Sequence, residues 1–283
     1  MTLPPGDLPP RPPRWSDLRK RLASAAVMLT VGAVEVWLGG PSFAILVILV
    51  TGGMLWELAR ITAPARVREA LAYGAGGALA LLGTFINDAP AAPMVLLLPS
   101  LAFALSARRD RRLAAALAAA IMVAGYGLVS IRQGAGIPAL MWLILIVVAS
   151  DVLGYFVGRL LGGPRFWPAI SPKKTWSGTV AGWAGAAAVG AGFVLAGLAG
   201  PAGWLLVVVS PVVAFAGQMG DIAESWLKRR AGVKDSSRLI PGHGGLMDRF
   251  DALTGAVVAV MILGLFAQLP LPAPDPFGFL RGH

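Results

Sequence analysis

The sequence predicts an all-α, polytopic integral membrane protein of about nine transmembrane helices with its N-terminus in the cytoplasm. Three observations carry that reading. Hydrophobic residues make up 57% of the chain and charged residues only 13%, with a mean hydropathy of +0.73, which is more apolar surface than a soluble fold can bury. The apolar residues gather in runs long enough to cross a bilayer. Lysine and arginine, by contrast, sit in short clusters between the runs and favour one side.

From the N-terminus, residues 1–16 hold Pro4, Pro5, Pro9, Pro10, Pro12 and Pro13. Such a segment cannot sustain a helix and is expected as a disordered cytoplasmic tail. It lacks the apolar stretch of a signal peptide, so the first run is expected as a retained span. Apolar runs then fall near 22–38, 42–59, 70–86, 91–106, 113–130, 138–157, 179–199, 203–220 and 253–270. The run at 91–106 is the shortest for a span. These group into N-terminal helices over 17–130, a catalytic membrane region over 131–270 and a non-cytoplasmic tail over 271–283. If the runs alternate from a cytoplasmic N-terminus, only Arg132 and Arg281 of the 24 Lys and Arg fall on the outer side.

Thirty-six glycines suit close helix packing in a bilayer, and the absence of cysteine removes disulfides, thiolate metal sites and a cysteine nucleophile. The net charge of +10 is distributed as topology signals, so nucleic acid is not an expected partner.

Two basic-side stretches carry dense polar residues against the spans. In the second, Asp221, Glu224, Ser225 and Lys228 share one face of a continuing helix, which by itself could be an ion-paired helix end. Beyond it come Lys234-Asp235-Ser236-Ser237 and then Leu239-Ile240-Pro241-Gly242-His243-Gly244-Gly245. Glycines around a histidine let backbone approach a phosphate, and a helix N-terminus follows. Asp248 and Asp251 lie one turn apart at the start of that helix, where carboxylates are costly unless paired or metal-bound. Oxygen ligands of this type suit Mg²⁺ shared with substrate phosphates. The first stretch, Asp151 to Gly178, ends in Ser171-Pro172-Lys173-Lys174-Thr175. Ser before Pro reads as an N-cap, placing the lysines in the first turn of the seventh helix. Topology alone would also explain those two lysines.

Ser225-Trp226-Leu227-Lys228-Arg229, Lys234-Asp235, Pro241-Gly242-His243-Gly244-Gly245 and Asp248-Arg249-Phe250-Asp251 together resemble the C-terminal signature of phosphatidate cytidylyltransferases. Asp151 to Arg159 and Ile170 to Thr175 resemble two further blocks of that family, whereas the first 130 residues match only in hydropathy and in Glu57. The pattern departs at Ser177, Ser237 and the Asp-Val-Leu-Gly-Tyr form of the first block. The resemblance implies transfer of the cytidylyl group of CTP to phosphatidate at a bacterial inner membrane.

On that resemblance Asp221 and Asp248 are the expected metal ligands, with Asp251 as a further carboxylate. The cofactor implied is Mg²⁺, one ion or two. Lys174 and His243 join the three aspartates as catalytic candidates. Ser171, Lys173, Lys174, Thr175, Ser225, Lys228, Arg229, Lys234, Asp235, His243, Gly244, Gly245 and Arg249 are expected to bind substrate. CTP, phosphatidate and membrane lipids are the expected partners, and a homodimer is compatible with the sequence. His243 reads as a phosphate or structural contact ahead of a proton donor. Arg249 could simply neutralise its neighbouring aspartates. Two other classes remain open: a CTP-dependent enzyme of isoprenoid lipid phosphates or polyprenols, and an ion-coupled transporter. A transporter would place its charges near the bilayer midplane rather than at one mouth.

Overall fold

A computed structural model describes residues 14–87, 91–199, 203–266 and 276. The proline-rich stretch at 1–13 and most of the C-terminal tail, including residue 283, lie outside the described residues. The helices are α1 (Arg14–Leu38), α2 (Gly40–Thr62), α3 (Val67–Ile86), α4 (Leu97–Leu105), α5 (Arg111–Gly134), α6 (Gly136–Leu161), α7 (Trp176–Leu195), α8 (Trp204–Ala231) and α9 (Met247–Phe266). A 3₁₀ turn at Ala92–Leu96 leads into α4, and β1 (Arg165–Trp167) and β2 (Ser171–Thr175) form an antiparallel hairpin before α7. Among the described residues, eight helices are long and apolar enough to cross a membrane, and the chain is a polytopic, helical membrane protein. Because the last proline of the tail is Pro13, helix α1 already takes in residues 14–16 of the segment expected to be extended.

The short apolar run at 91–106 is a helix, and other contacts fix its direction. Buried Arg108 donates to Thr62 Oγ1 at 3.1 Å and to Glu69 Oε2 at 3.4 Å, and its guanidinium lies over the rings of Tyr73 and Phe103. It thus joins the end of α2 to the start of α3. Two residues on, Asp110 accepts from Arg230 Nε at 2.8 Å, near the end of α8. Arg230's hydrogen bond holds the Asp110 carboxyl below the usual carboxylate range. Ile86 stands roughly 25 Å along α3 from Glu69 at 1.5 Å per residue. The segment between them must climb back over that distance, which is what the 3₁₀ turn and α4 do.

The lysines at 173 and 174 are not in a helical first turn: they lie in β2, and Thr175 is the N-cap of α7, its Oγ1 accepting from Gly178 N at 3.2 Å. Pairing of Arg165 with Thr175 and Trp167 with Ser171 supplies the backbone bonds that a helix would have supplied. Pro172 is tolerated because a two-stranded ribbon has only edge strands.

The buried core joins α2, α3, α5 and α6 through Leu55, Leu58, Leu81, Phe85, Met122, Leu143 and Ile146. Against it, α8 and α9 pack backbone to backbone. A Cβ on Gly220 would meet Asp251 O and Gly255, and one on Gly255 would meet Ala216 O. Small residues there let the two helices approach as no larger side chain would allow.

Helix α1 stands apart, with no buried residue in the apolar window from Arg21 to Leu38. It is held at two places. Arg132 Nε donates to Val36 O at 2.7 Å and its Nη2 to Trp37 O at 3.1 Å, capping the last carbonyls. At the start of the apolar window, Ser24 Oγ bonds Pro241 O at 2.9 Å.

Candidate active site

The approach of α8 and α9 decides where the acidic residues fall. Asp221 and Glu224 are one turn apart on α8, and Asp251 faces them from α9, so that carboxylate oxygens of all three lie within 4.8 Å of one another. Glu224 is almost wholly buried. Its Oε2 accepts from Lys228 Nζ at 2.8 Å, while Oε1 is buried with no hydrogen-bond donor among the described residues. Three converging carboxylates and an unsatisfied buried oxygen, a set of oxygen donors only, fit a hard divalent cation. The hairpin brings in Lys174, whose Nζ pairs with Asp221 Oδ2. Ser225 Oγ donates to Asp221 Oδ1 at 3.3 Å, and Asp151 on α6 lies within electrostatic reach of Lys174 and Asp221.

Asp248, which the resemblance pairs with Asp221 as a metal ligand, is not among the three carboxylates that converge within 4.8 Å. Its Oδ1 accepts from Lys228 Nζ at 2.6 Å, and its Oδ2 accepts from Ser236 N, Ser236 Oγ and Gly245 N at 2.8, 2.7 and 2.8 Å. The carboxylate ties the glycine loop to the start of α9. Lys228 bridges it to Glu224, so one ammonium faces both acidic groups.

Glu57, deep at the end of α2 and fully buried, takes two N–H groups at the start of α9. Its Oε1 accepts from Leu246 N at 2.9 Å and Ser237 Oγ at 2.6 Å, its Oε2 accepts from Met247 N at 2.7 Å, and Ser236 Oγ lies 3.2 Å from Oε2, its one hydrogen shared between Glu57 and Asp248. A carboxylate at a helix N-terminus is held by free N–H groups and by the dipole together. The sequence suggests that this loop and helix start cradle a substrate phosphate. In the structure the N–H groups of Gly245, Leu246 and Met247 meet the chain's own carboxylates. The glycine at 245 is required for that reason, since a Cβ there would run into Ser236 Oγ and Glu57 Oε1. Ser237, a departure from the family pattern, supplies one of the bonds to Glu57.

The loop itself closes through Ile240 N to Gly244 O at 2.8 Å and leans on α1. Arg249 grips His243 O through Nε at 2.9 Å and Nη2 at 2.7 Å, so it positions the loop rather than its neighbouring aspartates. His243 Nδ1 is 2.7 Å from Ser24 Oγ, which also lies 2.9 Å from Pro241 O and 3.1 Å from Arg21 O. A hydroxyl has one hydrogen and both carbonyls can only accept, so these bonds are best satisfied with Nδ1 donating. The neutral ring then carries its lone pair on Nε2.

Among the remaining expected residues, Thr175 is spent on the N-cap, and Ser171 lies at the start of β2. Lys173 is exposed and, one residue from Lys174 in a strand, projects to the opposite face. Arg229, Lys234 and Asp235 are exposed on the rim. Two contributors named in the sequence were given no role in the site. Glu224 was legible as the i+3 neighbour of Asp221, whereas the capping role of Glu57 depends on residues some 180 positions away.

Residues 19–267 match the Cytidylyltransferase family. The chain is 33% identical to the phosphatidate cytidylyltransferase of Brucella suis biovar 1 (strain 1330) over 271 residues, 93% of this chain and 100% of the relative. The enzyme of that name from Brucella melitensis biotype 1 (strain ATCC 23456 / CCUG 17765 / NCTC 10094 / 16M) gives the same identity and coverage. The one from Helicobacter pylori (strain J99 / ATCC 700824) is 37% identical over 145 residues, 51% of this chain and 53% of the relative.

Proposed function

Because the chain belongs to the Cytidylyltransferase family, we propose that it transfers the cytidylyl group of CTP to phosphatidate, forming CDP-diacylglycerol and diphosphate. The observation that carries this reading is the triad Asp221, Glu224 and Asp251 set between Lys174 and Lys228 at the basic end of a membrane bundle. Such an end is where a lipid phosphate and a water-soluble nucleotide can meet. We place it on the cytoplasmic side of a bacterial inner membrane, following the basic clusters.

The reaction joins two polyanions and needs no protein nucleophile. An oxygen of the lipid phosphate, already anionic at neutral pH, attacks the α-phosphorus of CTP. The bond from that phosphorus to the bridging oxygen breaks, and diphosphate leaves with the electron pair. Positioning and charge neutralisation are therefore the protein's tasks. Asp221, Glu224 and Asp251 would hold Mg²⁺, which when bound supplies positive charge to the phosphate oxygens. Lys174 reaches the same place from the hairpin as a compact point charge. Lys228 balances Glu224 and Asp248 and keeps the two acidic groups in register. Lys173, Arg229 and Lys234 on the rim draw the nucleotide's phosphates toward the site. Asp248, Glu57, Ser236, Gly244, Gly245 and Arg249 fix the loop that carries His243.

The test is incorporation of labelled CMP from CTP into added phosphatidate by the purified protein in detergent, with EDTA and Mg²⁺ add-back. CDP-diacylglycerol formed only with both substrates and the metal is the expected result. No product under any of these conditions would end the reading.

A further inference from the structure

Helices α5 and α8 both lie against α9 but hardly touch one another along most of their length. Between them runs a cavity of about 520 Å³, within the range of small-molecule sites. Its walls are almost wholly apolar: Ala116 and Ala120 from α5, Val212 and Phe215 from α8, Ala259 and Ile262 from α9. Val212, Phe215 and Ile262 are exposed, so the cleft opens on the flank of the bundle. The two carboxylates on its wall are Glu224 and Asp251, both members of the triad.

Resting on the function proposed above, we infer that this cleft seats an acyl chain of the phosphatidate whose phosphate reacts at the triad. Depth supports the assignment. From Glu224 to Val212 the α8 axis runs roughly 18 Å at 1.5 Å per residue, close to one leaflet, which is half of a hydrocarbon core about 30 Å thick. A chain standing in its own leaflet thus has its head at Glu224 and Asp251 and its tail at Val212 and Ile262. The mouth agrees in charge. Leu113 lines both this cleft and a hollow above it, walled by Arg108, Arg111, Arg112 and Arg230 with Asp110 as the one carboxylate, an excess of positive charge that suits a phosphate-bearing lipid and disfavours a neutral one.

Filling the cleft should therefore discriminate by chain length. Ala116→Phe and Ala259→Phe would be assayed with dipalmitoyl and dioctanoyl phosphatidate in mixed micelles. The expected result is a loss of at least tenfold in kcat/KM for the long-chain lipid, less than twofold for the short-chain lipid, and an unchanged KM for CTP. Equal losses for both lipids, or none for either, would overturn the assignment. Should a variant fail to fold, the wild-type protein gives the answer through phosphatidate carrying a diazirine near its acyl terminus. Label in the peptides of α5, α8 and α9 supports the cleft, and label confined to other helices overturns it. A wild-type protein that makes no CDP-diacylglycerol from either lipid refutes the enzymatic reading itself, whereas one that makes it without chain-length discrimination in the variants refutes only the cleft.

Discussion

Glu57 accepts the backbone N–H of Met247 at 2.7 Å across 190 positions of chain, so a carboxylate of the second helix caps the ninth.

That bond, with the three others to Glu57, predicts a structural cost. In Glu57→Gln an amide NH₂ replaces one acceptor oxygen and faces donors. Each buried N–H left without a partner costs about 1–3 kcal/mol. A lower melting temperature in detergent and a loss of turnover are expected together, larger in Glu57→Ala. Unchanged melting and unchanged turnover in both variants would show that the cap is dispensable.

The carboxylates of the site should separate into two groups. Asp221→Asn and Asp251→Asn remove charge from the triad and should lower kcat by at least about 10²-fold, the scale of one strong transition-state contact, with little change in melting. Asp248→Asn breaks bonds to Ser236, Gly245 and Lys228 and should lower the melting temperature as well. Activity titrated against Mg²⁺ beside thermal denaturation gives both readouts. An Asp248→Asn protein with wild-type stability and a shifted Mg²⁺ requirement would return that residue to the metal.

The hairpin makes the two lysines unequal. Lys174 pairs with Asp221 while Lys173 projects from the other face of the strand. Arginine's planar fork is a poor substitute for a compact ammonium, so Lys174→Arg should lower kcat/KM more than tenfold, about 1.4 kcal/mol. Lys173→Arg should stay within about twofold, since a charge-preserving change at an exposed site typically costs under 0.5 kcal/mol. Steady-state kinetics decides it, and wild-type values for both would make the pair a topology signal only.

Ser24 holds the ring of His243 through Nδ1. Ser24→Ala leaves Nδ1 without its acceptor and Pro241 O without its donor. A fall in kcat of about fivefold, near 1 kcal/mol, is expected from one such bond, with the KM for phosphatidate unchanged and partial rescue in Ser24→Thr. Wild-type kcat and KM in Ser24→Ala would show that the contact is dispensable.

Much of this was readable from residues alone, because hydropathy and basic clusters report a membrane directly. The run at 91–106 was doubtful only by length, and the structure resolves it as a turn and a half-length helix that must return from one end of α3 to the other. The hairpin was hidden by Pro172, which follows a serine as it would at a helix start. Asp248 and Asp251 look equivalent one turn apart. What distinguishes them is the loop folding back on Asp248 and the glycine contact that turns Asp251 toward Asp221, and neither is local in sequence. Glu57 was visible as an anomalous charge in an apolar run, but its partners are set by tertiary packing.

Among the described residues, helix α1 meets the rest of the protein chiefly at two places, at Ser24, with Gly242 against Arg21, and at its last turn through Arg132, which fills the space a Cβ on Gly39 would need. Between those points natural selection has only hydropathy to act on. Its middle residues, Val27 to Val34, should therefore drift freely among orthologues, exchanging one aliphatic for another. The serine, the two glycines and the arginine that moor it should change rarely and in concert.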